Sequence, residues 1–264
     1  MLGILTLNLW NLERWRERRD EILDWLNRLD PDVVCLQEVV DSADGRNQAR
    51  WLAERSGTPH VAYGASGRVG AEVTFGNAVL SRWAIDDHSA VPLPSAPLLP
   101  GDVTRAVTHA RTRGLDIFST HLSSPFGAVE LRRAQAVRLV EVVQDRADPN
   151  SPLPPVVAGD FNAEPDADEI RFLCGLTVLE GHDAYFQDAW RVAGGPGPGW
   201  TWDNHNPFAA LEHEPDRRID YVFVGWRRPD GAGRVEAARV VCDRALSGTC
   251  ASDHYGLFAE ITET

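Results

Sequence analysis

Apolar and polar positions follow two rhythms along this chain. Short apolar runs bounded by polar, glycine or proline residues read as strands, and apolar residues recurring every three or four positions read as helices. Residues 2–9 form the first strand-like run, ending at Asn8-Leu9-Trp10-Asn11. Residues 13–29 carry Ile22, Trp25, Leu26 and Leu29 at helical spacing, and Pro31 stops the helix. Residues 32–40 are the next strand, Val33-Val34-Cys35-Leu36 leading into Gln37-Glu38. Strand, helix and strand in succession imply a right-handed crossover, which brings Asn8 and Glu38 to the same edge of one sheet.

The pattern continues with a helix over 47–55 and strands over 60–63 and 72–80, the latter running through Gly76-Asn77-Ala78 into a turn at Ser81-Arg82. A proline-rich loop occupies 92–101. Residues 103–111 and 115–122 alternate around Gly114 and predict a hairpin whose second strand ends at Thr120-His121-Leu122-Ser123. A helix over 127–146 has Leu131, Ala134, Val137, Leu139, Val140 and Val143 on its apolar face. Pro154 and Pro155 then open the run Val156-Val157-Ala158-Gly159-Asp160-Phe161-Asn162, which is long enough for a buried strand and too short for a helix. This second strand–helix–strand unit aims His121 at the same place as Asp160 and Asn162. Residues 166–173 predict a short helix. Residues 194–217 form a long irregular segment whose Trp200-Thr201-Trp202-Asp203 argues against disorder. Strands over 219–224, 234–242 and 255–261 close the chain, the last preceded by Ser252-Asp253-His254.

Composition narrows the chemistry. The chain has 264 residues and no linker between self-contained halves, so 1–264 reads as a single domain. The net charge of −13, from 26 basic and 39 acidic residues, argues against broad non-specific binding to a nucleic-acid backbone. It leaves room for a nucleic-acid end at a metal-lined pocket. Every basic residue is arginine, which excludes Schiff-base lysines, P-loop lysines and Ser-Lys dyads. Cys35, Cys174, Cys242 and Cys250 form no Cys-x-x-Cys pair, so a structural zinc site is not expected. Cys242 and Cys250 could close a small loop in an oxidising compartment, or stand as free thiols. No apolar stretch reaches membrane-spanning length and the N-terminus lacks a basic region, so a cytoplasmic location without stable membrane association is expected, with a trimmed secretion signal left open.

The ends of the predicted strands carry Asn8, Glu38, His121, Asp160, Asn162, Asp220, Asp253 and His254. Singly, each has an ordinary explanation: a turn amide, a surface strand end, a satisfied histidine, a salt bridge beside Arg217 and Arg218. Arg14, Arg16, Arg18 and Arg19 read as a solvated helix face balanced by Glu13, Glu17, Asp20 and Glu21, with a phosphate patch as the other reading. Together the strand-end groups make a set. Carboxylate oxygens without a Cys–His cluster suit Mg²⁺ or Mn²⁺. A phosphate ester needs such a cation for its non-bridging oxygens, a base for the nucleophile and cationic donors for the developing charge.

Asn8-Leu9-Trp10, Gln37-Glu38-Val39, Gly76 to Arg82, Thr120-His121-Leu122, Gly159-Asp160-Phe161-Asn162, Arg218-Ile219-Asp220-Tyr221 and Ser252-Asp253-His254 resemble the ordered signature of the endonuclease/exonuclease/phosphatase, or deoxyribonuclease-I-like, superfamily. The resemblance covers nearly the whole chain. It implies an α/β fold, a four-layer α/β-sandwich of two packed mixed β-sheets flanked by helices. It implies Glu38 as the main metal ligand with Asn8 and Asp253 close by. Asp160 would activate the attacking water and Asn162 would hold Asp160 and the phosphate. His254 would contact the phosphate, oriented and kept charged by Asp220. His121 would be a second phosphate ligand or a proton donor to the leaving oxygen.

The expected activity is a Mg²⁺-dependent phosphodiesterase acting on a nucleic acid or nucleotide-like ester. Thr201-Trp202-Asp203 with Asn206, and the Arg132-x-x-Gln135 helix, are similar to the tyrosyl-DNA phosphodiesterase branch. Trp202, Asn77 and Arg105 are candidate substrate-binding residues, Trp202 by stacking on a base. The alternatives are a phospholipase C or sphingomyelinase-like enzyme, a small-molecule phosphatase, and a non-catalytic binding module that keeps the fold. The leaving group is expected to be chosen within 194–217, and the oligomeric state does not follow from the sequence.

Overall fold

The computed structural model describes residues 1–42, 47–69, 73–95 and 103–263. β1 (Leu2–Asn8), α1 (Trp15–Leu29) and β2 (Val33–Ser42) form the first strand–helix–strand unit, and β1 and β2 are parallel. α2 (Gln48–Ala53) precedes β3 (His60–Val69), β4 (Val73–Ser81) and β5 (Ile85–Pro92). β6 (Ala106–Thr112) and β7 (Leu115–His121) are the hairpin. α3 (Val129–Arg146) and β8 (Val156–Asp160) complete the second unit, with β7 and β8 parallel. α4 (Asp168–Leu173), β9 (Gln187–Asp188), α5 (Ala189–Ala193), β10 (Asp220–Val224), β11 (Val235–Val241) and β12 (Gly256–Ile261) follow.

Two mixed six-stranded sheets result, ordered β11-β12-β1-β2-β4-β3 and β5-β6-β7-β8-β10-β9. The parity of the strands builds the layers. Leu2 and Ile4 of β1 and Val33 and Cys35 of β2 face Ile117 of β7, Val156 and Ala158 of β8 and Val222 of β10 in the seam between the sheets. The alternate residues, Leu5, Leu7, Val34 and Leu36, meet Ile22, Trp25 and Leu26 of α1 and Leu52 of α2. On the other side Phe118, Val157, Tyr221 and Phe223 pack on Leu139, Val140 and Val143 of α3 and Ile170 and Phe172 of α4. Helices therefore cover both outer faces, and the expected four-layer α/β-sandwich is borne out. A one-residue slip in any central strand would reverse its faces, at roughly 1.5–3 kcal/mol for each large apolar side chain exposed.

Followed toward the ends of β1, β2, β7 and β8, the seam turns polar. Thr6 Oγ1 lies 3.2 Å from Gln37 Oε1, and the Gln37 amide donates across the sheets to Ser119 Oγ at 3.1 Å. One step further along the same faces are Asn8, His121 and Asp160. His121 pairs with Asp160 across the parallel ladder and Asp220 pairs with it across the antiparallel one. β7 and β8 approach so closely that a Cβ on Gly159 would stand 2.0 Å from the Thr120 carbonyl oxygen.

Several elements differ from the sequence expectation. β5 escapes the hydrophobic pattern because Ile85–Pro92 is a largely exposed edge strand with no apolar alternation. β3 runs six residues beyond the expected 60–63, and β9 and α5 are too short to leave a periodic signature. Glu72 and most of the expected 92–101 loop (96–101) lie outside the described residues. All four cysteines are free thiols, so Cys242 and Cys250 close no loop. No described helix is long and apolar enough to cross a membrane.

Candidate active site

Asp160 ends β8 and is 1 % exposed. The chain then leaves the strand, with Asn162 in the left-handed region at φ 49°. That turn lets the Asn162 backbone N–H donate to Asp160 Oδ1 at 2.9 Å. The Asn8 amide donates to the other oxygen, Oδ2, at 3.0 Å. Asn162 Nδ2 reaches His121 Nε2 at 3.0 Å and donates to the Leu122 carbonyl at 3.1 Å. His121 Nε2 is 3.3 Å from Asp160 Oδ2.

Glu38 reaches the site through a backbone irregularity. Strict alternation would turn it toward α1, because Gln37 faces the seam. The ladder between β2 and β4 shifts register between Leu36 and Val39, and Glu38 has φ 54°. Bulges redirect side chains in this way, and a left-handed non-glycine residue costs roughly 1–2 kcal/mol. Asn8 Nδ2 lies 3.4 Å from Glu38 Oε1, and Asn11 Nδ2 donates to Oε2 at 3.1 Å.

The third arm comes from the turn before β12. The His254 backbone N–H donates to Asp253 Oδ1 at 3.0 Å, and Ser252 Oγ donates to the Asn8 carbonyl at 2.7 Å. His254 Nδ1 donates to Asp220 Oδ2 at 2.9 Å, leaving Nε2 3.8 Å from Asp160 Oδ2. Part of 194–217 clamps this arm. The Asn206 amide donates to the carbonyls of Ser252 and Asp253 at 2.8 and 2.9 Å. Thr201 Oγ1 accepts from the backbone N–H groups of Ile219 and Asp220. Trp202 meets His254 edge-on, ring centroids 5.0 Å apart.

Burial and charge set the protonation states. Burial alone pushes the His254 imidazole down, but Asp220, then Asp160, outweigh it and raise its pKa to about 10. Burial first, then the Asp220 charge, raises the Asp160 carboxyl to about 7, against the pull of His254, the Asn162 N–H and the Asn8 amide. Burial, with Arg105 and His254 adding, holds His121 well below the usual histidine range. The site thus pairs a carboxylate poised near neutrality with one charged and one neutral imidazole. Residues 5–254 match the Endonuclease/Exonuclease/phosphatase family.

The chain belongs to this family.

Its similarity to a protein described as endonuclease/exonuclease/phosphatase from Beutenbergia cavernae is 25 % identity at a TM-score of 0.71, over 98 % of this chain and 71 % of that one. Truncated TDP2 from Caenorhabditis elegans superposes at 0.66 with 20 % identity, over 98 % and 97 %. Protein angel of Drosophila melanogaster is 29 % identical over 173 residues, 61 % of this chain and 47 % of its own length. Nocturnin of Rattus norvegicus is 28 % identical over 163 residues, 58 % and 37 %. The chain matches less than half the length of these two curated relatives.

Members of this family hydrolyse phosphate esters, and the donor set suits a hard divalent cation. Burial first lifts the Asp253 carboxyl to about 6, and the Glu38 charge adds to the lift against the pull of His254. Two anions that repel each other beside the amides of Asn8 and Asn11, with no thiolate, form an oxygen-ligand site that a cation would neutralise. Ligand atoms of Asp160, Asp220 and His254 also lie within 4.8 Å of one another. That trio is a poorer ligand set, because His254 Nδ1 is bonded to Asp220 and an imidazolium offers no lone pair.

The structure brings Asn8, Glu38, His121, Asp160, Asn162, Asp220, Asp253 and His254 into one cluster. Arg105 stands beside His121, with Nη2 3.3 Å from Ser124 Oγ. Asn77 is buried, and its amide donates to the Ala106 carbonyl, tying β4 to β6. Trp202 is 6 % exposed, which gives a stacking base little ring face and makes the residue a backing for His254. Sequence reasoning missed Arg18. It is fully buried, against the expected solvated face, and its guanidinium donates to the carbonyls of Leu9, Glu13 and Ala251. It ties the strand end after Asn8 to the turn before Ser252. The signal was present, since Arg18 shares the helix face of Ile22, Trp25 and Leu26.

Proposed function

We propose that the chain is a divalent-metal-dependent phosphodiesterase acting on a nucleic acid or nucleotide-like ester, through one catalytic domain that spans residues 1–264. The observation that carries this is the relation of Asp160 to His254, an acid–base carboxylate 3.8 Å from an imidazolium that Asp220 holds from behind. The use of residues from Asn8 to His254 in one cluster supports the single domain.

In this reading a water bound between Asp160 and the phosphorus loses its proton to Asp160 Oδ2 as its oxygen attacks in line with the leaving oxygen. The Asn8 amide and the Asn162 backbone N–H aim the carboxylate. His254 donates from Nε2 to a non-bridging oxygen whose charge grows in the transition state. His121 Nε2 lies 3.0 Å from the Asn162 amide and 3.3 Å from Asp160 Oδ2, so the ring serves to position Asn162 beside the carboxylate. Glu38 and Asp253, with Asn8 beside them, would hold a divalent cation, which would supply charge neutralisation for the phosphate ester. The nucleic-acid assignment draws on the family's name and on the Thr201-Trp202-Asp203…Asn206 segment.

The test is hydrolysis of bis-p-nitrophenyl phosphate and short single-stranded DNA under Mg²⁺ and Mn²⁺ titration, by wild type and Asp160→Asn in parallel, with sphingomyelin and inositol phosphates in the same panel. Metal-stimulated cleavage of the DNA that disappears in Asp160→Asn is expected. Preference for sphingomyelin or a phosphomonoester would replace the substrate class, and full activity in the variant would overturn the mechanism.

A further inference from the structure

A cavity of about 1010 Å³ opens between α1 and α2, on the Glu38 side of the site. Its walls carry Arg14, Arg16, Arg19 and Arg50 around Trp15 and Trp51. Among the described lining residues the acidic side chains are Glu17 and Glu54, so four described cations face two described anions in a chain whose net charge is −13. The groove is joined to the site by two hydrogen bonds. Gln48, in its wall, donates to the Asn11 carbonyl at 2.6 Å, and the Asn11 amide holds Glu38 Oε2.

The aromatic rings order the arginines. Trp15 and Trp51 meet edge to face at 5.8 Å. The guanidinium groups of Arg19 and Arg55 lie 4.8 and 4.6 Å from the Trp51 ring centroid. Arg14 lies 5.5 Å from the ring of Phe208, on the segment that clamps the His254 arm. Arg16 and Arg50 make no ion pair among the described residues, and the Arg14–Glu17 contact is long, at 3.8 Å between exposed groups. A merely solvated helix face would spread its charges. Here four cations converge on one concave surface.

We propose that this groove is the subsite for the sugar-phosphate backbone of a single nucleic-acid strand leading away from the scissile phosphate past Glu38. Guanidinium forks match phosphate oxygens in pairs, and bases stack on guanidinium planes and tryptophan rings alike. A duplex laid across the groove would meet the acidic remainder of the surface. The inference rests on the nucleic-acid reading above and adds the side on which the strand lies.

The experiment compares wild type with the Arg16→Ala/Arg50→Ala double variant, and with Arg227→Ala beyond the far end of β10 as a charge control. Anisotropy of a fluorescein-labelled oligothymidylate in EDTA reads strand binding across a salt series. The double variant is expected to bind at least about tenfold more weakly, with a log K against log salt slope smaller by about 1.4 for two lost single-strand phosphate contacts. Its kcat/KM on the oligonucleotide, divided by that on bis-p-nitrophenyl phosphate, is expected to fall about tenfold, and the control's ratio to stay at the wild-type value. Equal binding and slope in wild type and double variant, or no strand binding by wild type, would overturn the groove. Strand binding that needs the groove arginines, without strand hydrolysis, would keep the groove and overturn the nuclease reading. Strand hydrolysis indifferent to both arginines would do the reverse.

Discussion

His254 Nδ1 donates to Asp220 Oδ2 at 2.9 Å, and the opposite ring nitrogen faces Asp160. Asp220 is fully buried and, among the described residues, its Oδ1 has no hydrogen-bond partner, so its charge bears on the His254 imidazole bonded to it and on Asp160 beyond. Asp220→Asn should therefore leave a histidine that loses its proton at lower pH, with kcat reduced about 10²- to 10³-fold. Steady-state kinetics and a nitrogen-15 titration of His254 check this. A kcat within twofold of wild type would remove Asp220 from the mechanism.

The base must be ionised to accept a proton, and the Asp160 pKa is raised to about 7, chiefly by burial. Activity should consequently fall as pH drops, with an acid limb at or below about 7, because a bound cation lowers the carboxyl further. Asp160→Asn should lose about 10³-fold or more in kcat and show no such limb in its residual rate. A log kcat/KM profile from pH 4 to 9 reads both.

Glu38 is held in a left-handed bulge and faces the like charge of Asp253. Removing its charge should cost metal binding without costing the fold. Wild type should gain stability from Mg²⁺ or Mn²⁺, by about 2.7 kcal/mol at a hundredfold excess over Kd. Glu38→Gln should lose this gain and be at least as stable as wild type in EDTA. Thermal denaturation with and without metal decides, and an unchanged metal shift would exclude Glu38 as a ligand.

Asn206 is fully buried and spans two carbonyls with its amide while its Oδ1 accepts from the Phe208 N–H at 3.1 Å. Asn206→Ala leaves three buried groups unpaired. A loss of about 3 kcal/mol is expected in urea denaturation, with a fall in kcat larger than any change in KM. A variant as stable as wild type would show that the 194–217 clamp does not hold the His254 arm.

Asp116 lies far from the site, with His109 Nε2 at 2.8 Å, Arg111 Nε at 3.0 Å and the Asp148 N–H at 2.8 Å. Burial alone would raise its pKa, but these donors together bring it below the ordinary 3.8. A carboxyl depressed in the folded state contributes stability that is fully present above its unfolded pKa and is lost as pH falls through the folded value. Asp116→Asn should therefore cost about 2 kcal/mol near neutrality. The gap to wild type should shrink below pH 3.8, and a gap constant from pH 7 to pH 2.5 would contradict the assignment.

The central strands, both crossover helices and the polar strand ends were legible because each is a local pattern. Val156–Asp160 is apolar with proline before it, and Asp160 and His121 fall at strand ends wherever the strands lie in space. β5 was illegible because an exposed edge strand has no apolar face to repeat. Arg18 was misread because charge suggested solvent while its helical position lay on the buried face.

By itself the sequence determined the alternation of strands and helices, the inventory of oxygen and imidazole donors, and the family they resemble. Tertiary structure alone decided how those donors act. Asn8 meets Asp160 across 152 residues, and Ser252 meets the Asn8 carbonyl across 244, contacts that no local periodicity reports. Whether His254, His121 or Asp160 holds a proton depends on burial and on neighbours from other strands, because the field at a buried site sums over space and not along the chain. The same holds for the arginines of α1, which gather into a groove only once α2 packs beside them.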